Sequence, residues 1–243
     1  MGYLMKNGTS TSQRLHQRLG KIIAETPPGE KLLTEPELAR QLSVSRATLR
    51  EAMRTFETQG LIFRRQGSGT FVIHPTQVID SGLEVLESIE TLSKRIGLAV
   101  TMGDLHIEHR YSEPEVAKVL SLQPEDLVLY VSRVIHAEGR PVAYLIDILP
   151  DGILSASELE TGFTGSVLDK LLKRGTPPLA SSRCEINAVQ ATVDVARALR
   201  IQRGDVLLRF IAHLYATDSR VVDYSFSYFL PGYFNFHVIR RVG

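Results

Sequence analysis

Apolar residues along the first third of the chain recur first with the period of helices and then with that of strands. Leu15, Leu19, Ile22 and Ile23 stand three or four positions apart, Ser10 to Ser12 offer caps, and Pro27-Pro28-Gly29 ends the run, which predicts a first helix. Thr34 and Glu37 have capping-box spacing ahead of Leu38, Ala39 and Leu42, which predicts a short second helix. After a tight Ser43-Val44 connection, Ser45 caps a third helix whose inner stripe is Leu49, Ala52, Met53 and Phe56, stopping at Gln59-Gly60. Two short helices joined this closely form a helix-turn-helix pattern. Leu61 to Arg65 then reads as a strand, Gln66-Gly67-Ser68-Gly69 as a turn and Thr70 to Ile73 as the returning strand, so a hairpin wing follows the third helix.

His74-Pro75-Thr76-Gln77 interrupts the pattern and marks a linker over 75–80, between a domain over 1–74 and another over 81–243. Asp80 or Ser81 caps an expected amphipathic helix carrying Leu83, Leu86, Ile89, Leu92 and Ile96 and ending at Gly97, with Glu90 on its flank. Beyond it, Val, Leu, Ile and Tyr alternate with polar residues, as antiparallel strands require. There is also an internal echo. EVAKVLSLQPEDLVLYVSRVIHAEGRPVAYLIDILP, from Glu115, resembles DVARALRIQRGDVLLRFIAHLYATDSRVVDYSFSYFLP, from Asp194. Each copy reads as helix, acidic turn, strand, polar turn and strand, and two such halves make a pseudo-symmetric sheet. Between them Gly165-Ser166 opens a helix through about Lys173, and Leu179 to Val189 reads as a further strand. The fold class is therefore α+β.

Charge separates the two parts. The 243 residues carry a formal charge of +1, yet residues 1–74 hold 11 Lys and Arg against 6 Asp and Glu, and the remainder 17 against 21. A basic first part suits a polyanion, whose condensed counterions it displaces. Cys184 is the only cysteine, which rules out a disulfide within the chain and points to a reducing cytoplasm. The opening MGYLMKNGTSTSQ has no apolar run of signal-peptide type, and no stretch of about 18 apolar residues suggests a membrane span.

The outer face of the third helix carries the candidate chemistry. Arg46, Thr48 and Arg50 lie near its start, with Arg54 a turn further on. An arginine fork donates twice to guanine O6 and N7, and hydroxyls reach phosphates. In the wing, Arg64 and Arg65 lead into a glycine tip that permits close backbone approach to phosphates or the minor groove.

The stretch PGEKLLTEPELARQLSVSRATLREAMRTFETQGLIFRRQGSGTFV resembles the DNA-binding domain of the GntR superfamily. By that resemblance, Thr34, Ser45, Arg46, Thr48, Arg50 and Arg54, with Arg64, Arg65, Gly67, Ser68, Gly69 and Thr70 of the wing, are the DNA-binding candidates. Many relatives carry Arg where Pro36 stands, which puts a phosphate contact from the second helix in doubt. The later part is similar to the UTRA domain of the HutC branch, whose fold is like that of chorismate lyase. That resemblance is more diffuse. It rests on the paired helix-hairpin units, Arg133 followed by HAEGRPVA, the Ser-Val-Leu helix start and the terminal YSFSYFLPGYFNFHVIRR. It implies a metabolite pocket on the sheet and a homodimer that presents two DNA-binding domains to a palindromic operator. Repression relieved by the effector is the default direction.

Four residues are effector candidates: Arg133, Ser166, Asp223 and Tyr228. Arg133 is mid-strand among apolar neighbours and needs an acidic partner, either an effector or a salt bridge. Ser166 opens a helix, as part of an anion site or as an ordinary N-cap. Asp223 and Tyr228 match pocket-lining positions of relatives, or form cross-strand pairs. Sugar-phosphate sensors of this type tend to carry a second Arg where Ile135 stands and an acid where Leu145 stands, so an effector of lower polarity or different charge is the expectation here. His106 and His109 fall on opposite faces of a strand, which argues against a shared metal. No nucleotide-loop, zincin or nucleophile-elbow motif occurs, so the sequence calls for no cofactor and no catalytic residue. Two other functions compete with an effector-controlled regulator: an enzyme of lyase type built on the C-terminal fold, and a regulator recruited only by a protein partner.

Overall fold

A computed structural model describes residues 11–27, 29–58, 61–65, 68–72, 79–160 and 163–240. The chain divides into two compact units, Met1–Thr76 and Gln77–Gly243.

In the first unit, helices α1 (Thr11–Glu25), α2 (Glu35–Leu42) and α3 (Arg46–Thr58) precede an antiparallel hairpin of β1 (Ile62–Arg65) and β2 (Gly69–Val72). One core joins them: Leu15, Leu19 and Ile23 of α1, Leu38 and Leu42 of α2, Leu49, Met53 and Phe56 of α3, then Ile62 and Val72 of the hairpin. The turn between α2 and α3 closes because Ser43 adopts φ +58°, so that Val44 N–H donates to the Ala39 carbonyl at 3.0 Å. Arg18 of α1 donates to the last carbonyls of α2, Gln41 and Leu42, satisfying acceptors the helix itself leaves open. Ser45 accepts from Thr48 N–H at 3.1 Å, as an N-cap must. The hairpin also gains a partner that the sequence reading missed. Residues 29–32 pair with β2, Leu32 N–H donating to the Thr70 carbonyl and Val72 N–H to the Glu30 carbonyl.

The second unit begins with a correction. Residues 79 and 80, expected in the linker, belong to strand β3 (Ile79–Gly82), while 75–78 lie outside the described residues. The helix expected from residue 81 starts later, as α4 (Ile89–Arg95), capped by Ser88, whose hydroxyl accepts from Thr91 N–H. Leu83 and Leu86 are exposed. Their helical spacing is overruled because β3 pairs in parallel with a strand some 150 residues away, β10 (Phe234–His237).

After α4 come β4 (Val100–Tyr111), α5 (Pro114–Leu120), β5 (Leu127–Ala137), β6 (Arg140–Pro150), α6 (Ala156–Glu160), α7 (Val167–Arg174), β7 (Leu179–Gln190), α8 (Val193–Leu199), β8 (Val206–Ala216) and β9 (Val221–Phe229). The six long strands form one antiparallel sheet in the order β4-β5-β6-β9-β8-β7. Its halves mirror each other about the β6–β9 pair, as the echo predicts. The likeness extends to detail. α5 and α8 end on Ser121 and Arg200 at φ +56° and +55°, and Asp126 and Asp205 each accept from a backbone N–H three residues earlier. On one face, Val167 and Leu171 of α7 pack on Leu129, Val131 and Leu149, while Ile89 and Leu92 of α4 join Ile135 and Leu145. α5 covers Val128, Ile148 and Tyr224 on the other. No helix among the described residues is long and apolar enough to cross a membrane.

Candidate nucleic-acid interface and buried polar cluster

Burying Leu49, Met53 and Phe56 turns the opposite side of α3 outward, and that side carries Arg46 and Arg50, with side chains 60% and 55% exposed. Both converge on one carboxylate that the sequence reading did not single out. Glu35, the first residue of α2 and only 16% exposed, accepts from Arg50 Nε at 2.7 Å and lies 3.9 Å from Arg46 Nη2 and 3.1 Å from Arg64 Nη2. Glu35 therefore ties the start of α3 to the wing strand. Pairs this exposed contribute about 0–1 kcal/mol to stability, so the main effect of Glu35 is to fix where three guanidinium groups sit. A local signal existed: an acid in the first helical turn, ahead of Pro36.

The remaining candidates fall into distinct places. Thr34 donates its N–H and hydroxyl to Glu37, one limb of the expected capping box. Thr48 Oγ1 lies 2.8 Å from Ser45 Oγ, so both hydroxyls serve the helix start while remaining exposed. Arg54 pairs with Glu51 at 3.9 Å. Gly67 lies outside the described residues, and of Arg65 only the backbone, in β1, is described. Ser68 is exposed, and Gly69 has φ +117°, where a side chain would be strained and would collide with Lys31. Lys31 thereby brings to the hairpin a cation that sequence reasoning missed. Thr70 is a correction to the expected contact set. At 7% exposure it points inward with Val72, because side chains alternate along β2.

Neutralising the Glu35 hub tests its role. Glu35→Gln is expected to strengthen binding to a random duplex at low salt by roughly threefold to tenfold, since one opposing charge leaves the phosphate-facing surface. Discrimination between operator and random DNA should fall. Fluorescence anisotropy on both duplexes reads this, and unchanged random-duplex affinity would remove the hub from the account.

In the second unit, Arg133 of β5 is buried and spends its guanidinium inside the protein. Nη1 pairs with Asp147 of β6 and Nε donates to the Gly165 carbonyl. The salt bridge is one of the two partners that the sequence leaves open. Ser166 accepts from Asp169 N–H at 2.9 Å as the N-cap of α7. Asp223 is fully buried beside Asp147, and its carboxyl is held well above the ordinary carboxylate range, first by burial and then by the Asp147 charge. Tyr228 is not brought to this cluster. Asp223 and Tyr228 are five positions apart on β9, an odd interval that puts them on opposite faces, and Tyr228 lies across from Tyr144 with ring centroids 6.3 Å apart. The residue that replaces it in the cluster is Glu90 of α4, buried and with its pKa raised by desolvation. Being polar, it reads in sequence as solvent-facing; its burial is a tertiary event. His106 and His109 have separate acidic partners, Glu108 at 3.2 Å and Asp151 at 3.6 Å.

Comparison with known proteins agrees across both units. Residues 11–72 match the model of bacterial regulatory proteins of the gntR family, and residues 95–235 match that of the UTRA domain. The chain is 28% identical over 222 residues to the HTH-type transcriptional repressor NagR of Bacillus subtilis, covering 90% of this chain and 89% of that protein. A histidine utilization repressor of Pseudomonas aeruginosa is 26% identical over 190 residues, covering 75% of this chain and 71% of that one. Among solved structures, PhnF from Mycobacterium smegmatis superposes with a TM-score of 0.63 at 20% identity, covering 94% of this chain and 100% of the other, a likeness of fold.

Proposed function

Since the chain belongs to the UTRA-domain family of bacterial gntR-type regulators, we propose that it works as a homodimeric repressor whose hold on a palindromic operator is set by a small molecule in the C-terminal domain. DNA binding by the first unit and effector binding by the UTRA domain come with membership of the family. The observation that carries the DNA-facing part is the convergence of Arg46, Arg50 and Arg64 on Glu35 at the exposed start of α3. This end enters the major groove, while Ser68, Gly69 and Lys31 at the hairpin approach the backbone or adjacent minor groove.

The repressors among the relatives support the direction of control. Dimerisation is supported by β7, an edge strand of 12 residues with Cys184, Ile186 and Ala188 exposed, which offers pairing groups to a second copy. Effector binding shifts the population between spacings of the two recognition helices that do and do not fit adjacent half-sites. A coupling of about 1–3 kcal/mol changes occupancy about 5–150-fold. The work is that of a cytoplasmic protein that performs no catalysis; sharing a fold with a lyase transfers no activity.

Selection of bound fragments from genomic DNA, followed by gel shift, tests the reading. One sequence with two-fold symmetry should be enriched and its affinity should fall steeply with salt. Absence of preference for any duplex at moderate ionic strength would refute it.

A further inference from the structure

Three buried carboxylates, those of Glu90, Asp147 and Asp223, surround the single guanidinium of Arg133. Asp147 takes that guanidinium. The other two each keep an oxygen without a hydrogen-bond partner, Asp223 Oδ1 and Glu90 Oε1, though the residues are only 5% and 7% exposed. They belong to one locus. Glu90 Oε1 lies 2.5 Å from where a Cβ on Gly165 would stand, and the carbonyl of Gly165 accepts from Arg133. A buried acceptor without a donor forfeits its hydration, so what this locus lacks is donors.

An anion meets an unfavourable charge balance here. Arg133 is neutralised by Asp147, and the start of α7 carries Asp169 in its first turn. Asp169 Oδ2 also accepts from Ser88 Oγ at 2.6 Å, the cap of α4, so one protein carboxylate serves the beginnings of two helices. Ser166 Oγ accepts from Asp169 N–H as the cap of α7. Adding a phosphate here would place it among four carboxylates facing one guanidinium. A cation meets the opposite balance.

We propose that the effector received at this cluster carries a cationic head group, a protonated amine, guanidine or imidazole, whose N–H donors are taken by Asp223 Oδ1 and Glu90 Oε1. The proposal rests on reading the second unit as an effector receiver and adds the chemical class of the ligand. Proton bookkeeping follows from the geometry. Without ligand, burial holds both carboxyls above their ordinary range, so the folded state keeps protons that the unfolded chain releases, and stability declines as pH rises through the carboxylate range. An arriving cation favours the ionised forms and sends those protons to solvent. The charged groups facing Glu90 are Arg133, Asp147 and Asp169, and those facing Asp223 are Asp147 and Arg133; all retain their roles. Cation affinity therefore increases with pH over that range.

The test melts the full chain with agmatine, histamine or putrescine, and in parallel with glycerol 3-phosphate, glucose 6-phosphate or succinate, from mildly acidic to mildly alkaline pH. Operator binding is followed in the same samples. At least one cation at about 5 mM should raise Tm by about 2 °C or more, more strongly at alkaline pH, and the shift should vanish in Asp223→Asn and in Glu90→Gln. Without ligand, both variants should melt no lower than the parent at alkaline pH, because the orphaned oxygens have no partner to lose and an Asn amide can keep the bonds of Asp223 to Asp147 and from Ile148 N–H. Silence of all three cations overturns the proposal, as does an anion that stabilises parent and variants alike. A marked drop in Tm of either ligand-free variant overturns it too. An anion response that alters operator binding leaves the regulator reading standing and removes only the cationic class, whereas absence of operator binding throughout counts against the regulator reading and leaves the melting result to judge the ligand.

Discussion

Arg46→Ala or Arg50→Ala is expected to abolish operator-specific binding while the protein stays folded. Each side chain is more than half exposed, and its pairing with Glu35 contributes little to stability, so truncation leaves the core of Leu49, Met53 and Phe56 intact. Losing a bidentate contact to guanine costs about 1–3 kcal/mol, roughly 5- to 150-fold in affinity, which brings the operator down toward random DNA. The salt dependence tells the two kinds of contact apart. If the lost partner is a phosphate, the slope of log affinity against log salt falls by about 1 and all sequences weaken alike; if it is a base, the slope holds and discrimination collapses. Arg197→Ala, an exposed arginine of α8, serves as the control and should change neither quantity. Gel-shift titrations at several salt concentrations make the measurement, and unchanged operator affinity in both variants would remove α3 as the reader.

The largest effect on stability is expected from Arg133→Met. Removing the guanidinium leaves Asp147 without its partner beside Asp223, with Glu90 close by, and breaking one side of a buried ion pair typically costs about 3–5 kcal/mol. The Gly165 carbonyl loses its donor as well. Asp147→Asn should cost less, since Asp223 lies close enough to take the guanidinium over, and this asymmetry distinguishes a shared cluster from an isolated pair. The deficit of Arg133→Met should grow as pH rises above the carboxylate range, because the remaining acids must then ionise without a cation or hold their protons against solvent. Thermal melting of the second unit across pH checks this. Equal losses in the two variants would show that Asp147 alone matters to Arg133.

Both predictions depend on neighbours that are distant in the chain, and this distance divides what was readable from what was not. The helix-turn-helix and its hairpin were legible because their signals are local: capping at Ser45, the apolar stripe of α3 and the glycine-rich turn before β2 all act within a few residues. The two halves of the large sheet were legible because the chain states them twice. α4 was misread because Leu83 and Leu86 have helical spacing, whereas the strand at Ile79–Gly82 is made by pairing with Phe234–His237, for which a local period carries no signal. Whether Tyr228 lines the same face as Asp223 or pairs across strands was left open by the sequence for a similar reason. Resemblance locates a residue along a strand, but the face it occupies depends on the register of the whole sheet.

The amino-acid sequence by itself determined the helix-turn-helix with its hairpin, the doubled halves of the large sheet, the exposed arginines at the start of α3 and the family to which the chain belongs, since periodicity, caps and turn residues are properties of neighbouring positions. Tertiary structure decided which charges meet. Glu35 gathers arginines from α3 and β1, and Glu90 descends from a short helix onto Arg133, Asp147 and Asp223, because Coulomb energy and desolvation depend on separations in space that folding alone sets.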